Sequence, residues 1–204
     1  MKLPWSAKPA PPPAVQDAVF ISLGLDCTPA IELRSLGLRK TAMPFDWLRS
    51  TPSAIANCIR ADFSGYHDNL RLDTAAERVV DGLGQEFSHD YPTLESYNNI
   101  TRTLEGWEAY APLINEKYYP RIQRFIGLMH SHAIPVVILC TMNLEDIEKV
   151  REAIHETYNR TSRLVFVSLT TEGFPSNHNT LWCASKDILL GRLQFAAQLA
   201  STTS

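Results

Sequence analysis

The chain has no run of lysine and arginine, no Cys-x-x-Cys pair, and no apolar segment near the roughly 20 residues that a membrane span needs. Each absence removes a class of function. With a net charge of -3 and its basic residues scattered, the chain offers no electrostatic footprint to a phosphate backbone, so nucleic acid is not an expected partner. A membrane is not expected either. The N-terminal Met1-Lys2-Leu3-Pro4-Trp5 lacks the apolar core of a signal peptide, which predicts a soluble, cytoplasmic protein. Cys27, Cys58, Cys140 and Cys183 stand far apart, as reduced thiols do and a disulfide framework does not. No metal or cofactor is expected, since His130 and His132 lie two apart on a helical pattern and point to different faces.

What is present is enough for a full core. A length of 204 residues with 45% hydrophobic content suits one domain. Residues 1–17 are rich in proline and alanine from Ser6 onward and read as an N-terminal arm, which leaves 18–204 as a single domain. Within it, apolar runs at 18–23, 134–140 and 163–169 read as strands covered on both faces. Helical patterns follow from Ala30, from Pro52, over 113–133, after Asn143 and over 185–200. Strand and helix alternate. The expected architecture is therefore a three-layer α/β domain with a mainly parallel sheet flanked by helices, with a papain-like α+β fold as the alternative.

The first strand delivers Gly24-Leu25-Asp26-Cys27 to a helix start, where unpaired N–H groups and the helix dipole favour thiolate over thiol. In a parallel sheet this is also the ligand-binding edge. Cys27 is thus the candidate nucleophile. A thiolate needs a base, and His89 is preferred among six histidines because Phe87, His89 and Tyr91 alternate along an apparent strand, an aromatic setting that excludes water. His67 is a weaker rival in a polar loop, and His155 and His178 read as surface. Asp46, between Phe45 and Trp47, is the preferred carboxylate to orient the imidazole, or else a structural acid paired with Arg39 or Arg49. Asp90 adjoins His89, but strand neighbours face opposite ways.

Ile21-Ser22-Leu23-Gly24 with Cys27, Leu33-Arg34, Gly37-Leu38-Arg39, Pro44-Phe45-Asp46-Trp47, Phe87 with His89-Asp90, and Lys117-Tyr118 with Arg121 and Arg124-Phe125 occur in one order. Together they resemble a bacterial domain family of unknown function described as putative papain-like cysteine peptidases. The resemblance implies Cys27 as nucleophile, His89 as general base, and Asp90 or Asp46 completing the site.

Three functions follow as expectations. The first is a cysteine-dependent hydrolase or acyltransferase acting on an amide or thioester of a small molecule or peptide, with Ser22, Gly24, Asp26, Arg39 and Trp47 around the substrate. The second is a non-catalytic domain that holds a phosphate or carboxylate at the first turn, with Arg39 neutralising it. A serine esterase ranks last, because Ser22 lies inside the strand.

Overall fold

A computed structural model describes residues 17–75, 77–95, 101–170, 180–183 and 185–202. Apart from Asp17, the expected N-terminal arm lies outside these, and so does His178.

Four parallel strands make the central sheet: β1 (Val19–Leu23), β8 (Val136–Cys140), β9 (Leu164–Ser168) and β10 (Thr180–Trp182), side by side in that order. Val19 pairs with Val136 and Leu23 with Cys140; Val136 in turn faces Leu164 and Cys140 faces Ser168. Period-two alternation sends the side chains to two cores. Ile21, Leu23, Ile138 and Phe166 face α2 (Pro52–Arg60), α3 (Ala111–His130) and α4 (Leu144–Tyr158). Phe20, Val137, Leu139 and Val167 face α1 (Thr28–Ser35) and α5 (Leu189–Thr202). This is the three-layer α/β arrangement, with β1 on the sheet's edge.

Local chemistry sets the helix ends. Thr51 caps α2 by accepting from the Ala54 N–H at 3.1 Å, with Pro52 opening the helix. Asn143 caps α4 by accepting from the Asp146 N–H at 2.9 Å. Gly37, at φ +71°, turns the chain left-handed just after α1. α3 continues past Pro120, which forgoes one helical hydrogen bond. Arg160, fully buried, donates to the carbonyls of Leu128, Ser131, Ile134 and Arg163 and ties the α3–β8 connection to the end of α4.

The region between α2 and α3 differs from the sequence reading. Residues 61–84 are polar and glycine-spotted, a composition that reads as loop with one short strand around Val79-Val80. They contribute two strands, β3 (Arg71–Asp73) and β4 (Arg78–Val80), to an antiparallel sheet with β2 (Arg49–Ser50) and β5 (Gln85–Glu86), in the order β2-β5-β4-β3. A hairpin of β6 (Thr93–Glu95) and β7 (Thr101–Thr103) follows. The expected strand over 85–91 stops at Glu86, and Ser88 to Asp90 form a turn. Among the described residues no helix is long and apolar enough to cross a membrane.

Candidate functional site

The β1–α1 turn is tight for an identifiable reason. A Cβ added at Gly24 would stand 2.3 Å from the Asp26 carbonyl oxygen and 3.2 Å from the Pro29 ring, so only glycine allows this approach. Cys27 then occupies the N-cap of α1 without a capping bond of its own. Asp26 supplies the cap instead, its carboxylate accepting from the Thr28 N–H at 2.8 Å. Pro29 has no N–H to offer. The helix start therefore presents fewer free donors than the sequence reading assumed.

Cys27 is partly exposed, whereas Cys58, Cys140 and Cys183 are buried. Burial pushes the thiols of Cys58 and Cys183 up and that of Cys140 to about 12, which keeps all three protonated and unreactive. Beside the turn, a cleft of about 460 Å³ opens between Leu25 and the small sheet, lined also by Arg49, Thr51, Arg71 and Glu86.

Asp46 is the hub behind α1. Its side chain is 1% exposed, and its oxygens accept from the Ser22 hydroxyl at 2.6 Å, the Met43 N–H at 2.9 Å, and Arg39 through Nε at 2.8 Å and Nη2 at 2.5 Å. Of the two roles open to it, the pairing with Arg39 is the one seen, and the His89 imidazole is not among its hydrogen-bond partners. Arg39 is consequently already neutralised, which removes the charge that the phosphate-holding alternative relied upon. The signal for Ser22 was present in the sequence: a hydroxyl inside a strand covered on both faces needs a buried acceptor.

Trp47 carries the next layer. The guanidinium carbons of Arg34 and Arg39 lie 5.3 and 5.6 Å from its ring centroid. His89 meets the same ring edge-on, at 6.5 Å and 87°. Here the sequence reading is corrected. His89 is an exposed turn residue beside one aromatic ring and is not shielded between Phe87 and Tyr91. Asp90 points away from it, its 1% exposed carboxylate paired with Lys117 and accepting from the Tyr118 hydroxyl at 2.7 Å. Burial, then the Asp90 charge, pushes the Tyr118 phenol well up and keeps it a donor.

The shielded histidine is His67. It stands 4.7 Å from Phe87, edge-on, and stacks on Tyr91 at 5.9 Å. Its Nδ1 meets the Asn115 carbonyl at 2.7 Å and its Nε2 meets the Tyr91 hydroxyl at 2.6 Å. With the proton on Nδ1, the neutral ring donates to Asn115 and accepts from Tyr91. Burial pushes it below the usual imidazole range, against the pull of Asn115 and Asp90. The polar-loop reading missed this because its partners lie far off in sequence.

Hydrogen bonds and ring contacts thus link Ser22, Asp46, Arg39, Trp47, Arg34 and His89 in one chain, while Gly24, Asp26 and Cys27 lie at the start of α1 and, among the described residues, no hydrogen bond joins Cys27 to His89. Among the described residues no group of three or more histidine, cysteine or acidic side chains could hold a metal ion.

Comparison with known proteins finds a matching family. A family described as "Putative papain-like cysteine peptidase" matches residues 18–170. A protein of Acanthamoeba polyphaga mimivirus, "Uncharacterized protein R408", is 31% identical over 137 residues, covering 56% of this chain and 58% of its own length. The chain thus spans little more than half of that relative. No solved structure matches.

Proposed function

Because the chain belongs to the family described as putative papain-like cysteine peptidases, we propose that it is a cysteine-dependent hydrolase or acyltransferase, with Cys27 attacking an amide or thioester carbonyl of a small molecule or peptide in the cytoplasm. One observation carries the reading: Cys27 alone of the four thiols reaches solvent, at a helix start beyond the carboxyl end of a parallel strand. The sulfur forms a bond to the carbonyl carbon, and the oxyanion is received by the backbone N–H of Cys27, which has no backbone partner among the described residues. His89, exposed beside Trp47, takes the thiol proton and returns it to the departing amine or thiol. Water or a second nucleophile then releases the acyl group, giving its proton to the same imidazole.

Asp46 and Asp90 serve this site indirectly. Asp46 holds Arg39 and the Trp47 segment against β1, and Asp90 fixes the His89 turn to α3 through Lys117 and Tyr118. The phosphate-holding alternative is weaker, since Asp26, Pro29 and Asp46 have removed most of its donors.

The test is acyl trapping. With a panel of aryl thioesters and p-nitrophenyl esters, acid-quenched protein gains one acyl group on Cys27, and Cys27→Ser abolishes both adduct and turnover. His89→Ala lowers turnover by roughly 10²–10⁴. Turnover that survives Cys27→Ser overturns the assignment.

A further inference from the structure

Helix α1 turns a narrow stripe to solvent. Cys27 opens it, Ile31 follows at 40% exposure, and Arg34 closes it. Spacings of i, i+4 and i+7 put the three on one face, since Cys27 itself has helical dihedrals, φ -79° and ψ -2°. At 1.5 Å of rise per residue, Cys27 and Arg34 are separated by about 10 Å along the axis. The two ends differ in chemistry: a thiol at one, a guanidinium on an indole at the other.

Among the described residues Arg34 is held by Trp47 alone. Among the described residues it has no ion pair and no side-chain hydrogen bond, and it lies over the ring that Arg39 also covers. Arg39 is anchored through Nε and Nη2 to Asp46, which leaves Nη1 without a protein partner there. Two guanidinium groups and one carboxylate leave one net positive charge on a half-buried indole. With Arg39 paired to Asp46, the uncompensated charge is that of Arg34, and an anion docking beside it neutralises that charge. The exposed isoleucine between thiol and guanidinium offers apolar surface to whatever spans them.

We propose that this stripe selects the substrate: an anionic group, carboxylate or phosphate, docks on Arg34 and the free Nη1 of Arg39 over Trp47, about 10 Å from the carbonyl that Cys27 attacks. The intervening aliphatic or peptide segment crosses Ile31. The inference rests on Cys27 being the nucleophile.

The test uses alkylating probes on the whole chain. In each, the Cys27 sulfur displaces iodide to form a carbon–sulfur bond, and rates are read at Cys27 by mass spectrometry. Three probes are compared: iodoacetamide, 6-(iodoacetamido)hexanoate, and the methyl ester of the latter. The tethered carboxylate matches the spacing and is expected to label about fivefold faster than its neutral ester, an advantage of the size an exposed ion pair provides. Arg34→Gln removes that advantage, read within each variant as the ratio of the carboxylate probe's rate to the rate of its neutral ester. Added acetate and inorganic phosphate identify the source, the better-suited anion suppressing the advantage at lower concentration. Equal rates for the carboxylate and its ester, an advantage that persists in Arg34→Gln, or one that neither anion suppresses overturns the proposal. If iodoacetamide itself fails to label Cys27, the nucleophile assignment falls instead, and the two failures are told apart.

Discussion

Replacing Asp46 by alanine should be the most damaging single change near the site. The side chain is 1% exposed and accepts four hydrogen bonds, from Ser22, the Met43 N–H and twice from Arg39. Its loss leaves a guanidinium, a hydroxyl and a backbone N–H without their acceptor. Breaking a buried pair from one side costs about 3–5 kcal/mol. Arg39 keeps 17% of its side-chain surface and regains some water, which places the expected loss near the lower end, about 3 kcal/mol. Ser22→Ala alone removes one hydrogen bond and should cost about 1 kcal/mol. Because both changes act on the same bond, they should not add: in the Asp46→Ala background the serine change should cost much less. Urea unfolding of the two single variants and the double variant gives these values from midpoint shifts at constant slope. A loss below about 1 kcal/mol for Asp46→Ala, or strict additivity with Ser22→Ala, would refute the hub.

Gly24→Ala should destabilise by about 1–3 kcal/mol, because the added methyl meets the Asp26 carbonyl at 2.3 Å and the turn must open; an unchanged melting temperature contradicts this. His67 predicts a pH effect. Its folded-state pKa lies below its ordinary value of 6.5, so the unfolded chain binds the extra proton first as pH falls, and the stability from the neutral ring, complete above that value, is progressively lost below it. Thermal unfolding from pH 7.5 to 5 should show a steeper loss for the wild type than for His67→Gln, and parallel curves would rule the linkage out.

Much of the fold could be read from the sequence because the sheet strands are short apolar runs and the helix ends carry strong local signals in Thr51, Asn143 and Gly37. The stretch from Asp62 to Thr103 was not legible. Its strands are two or three residues long, too short to show alternation, and Asp62, Phe63, His67, Asn69 and Glu77 adopt positive φ, which residue preference favours at Asp62, His67 and Asn69 but does not announce at Phe63 or Glu77. The same stretch misled the choice of histidine environment: Phe87 and Tyr91 do surround an imidazole, but the chain brings His67 there and turns His89 out toward Trp47. For Cys27 the reading rests on a glycine turn and a helix start at the carboxyl end of a parallel strand, together with the family resemblance, and that turn, helix start and strand are present. The Asp46 network was half visible, through Arg39. Its contact with Ser22 joins residues from two separate motifs and leaves no periodic trace.

The central claim is that Cys27 is a nucleophile assisted by His89. It is tested most directly by a pH series of iodoacetamide labelling on wild type and His89→Ala, read at each cysteine by mass spectrometry. Cys27 should label far faster than Cys58, Cys140 and Cys183, and loss of His89 should slow it at neutral pH while leaving its rate at high pH, where any thiol ionises, unchanged. Labelling of Cys27 no faster than Cys58, or a pH profile that does not move without His89, contradicts the account.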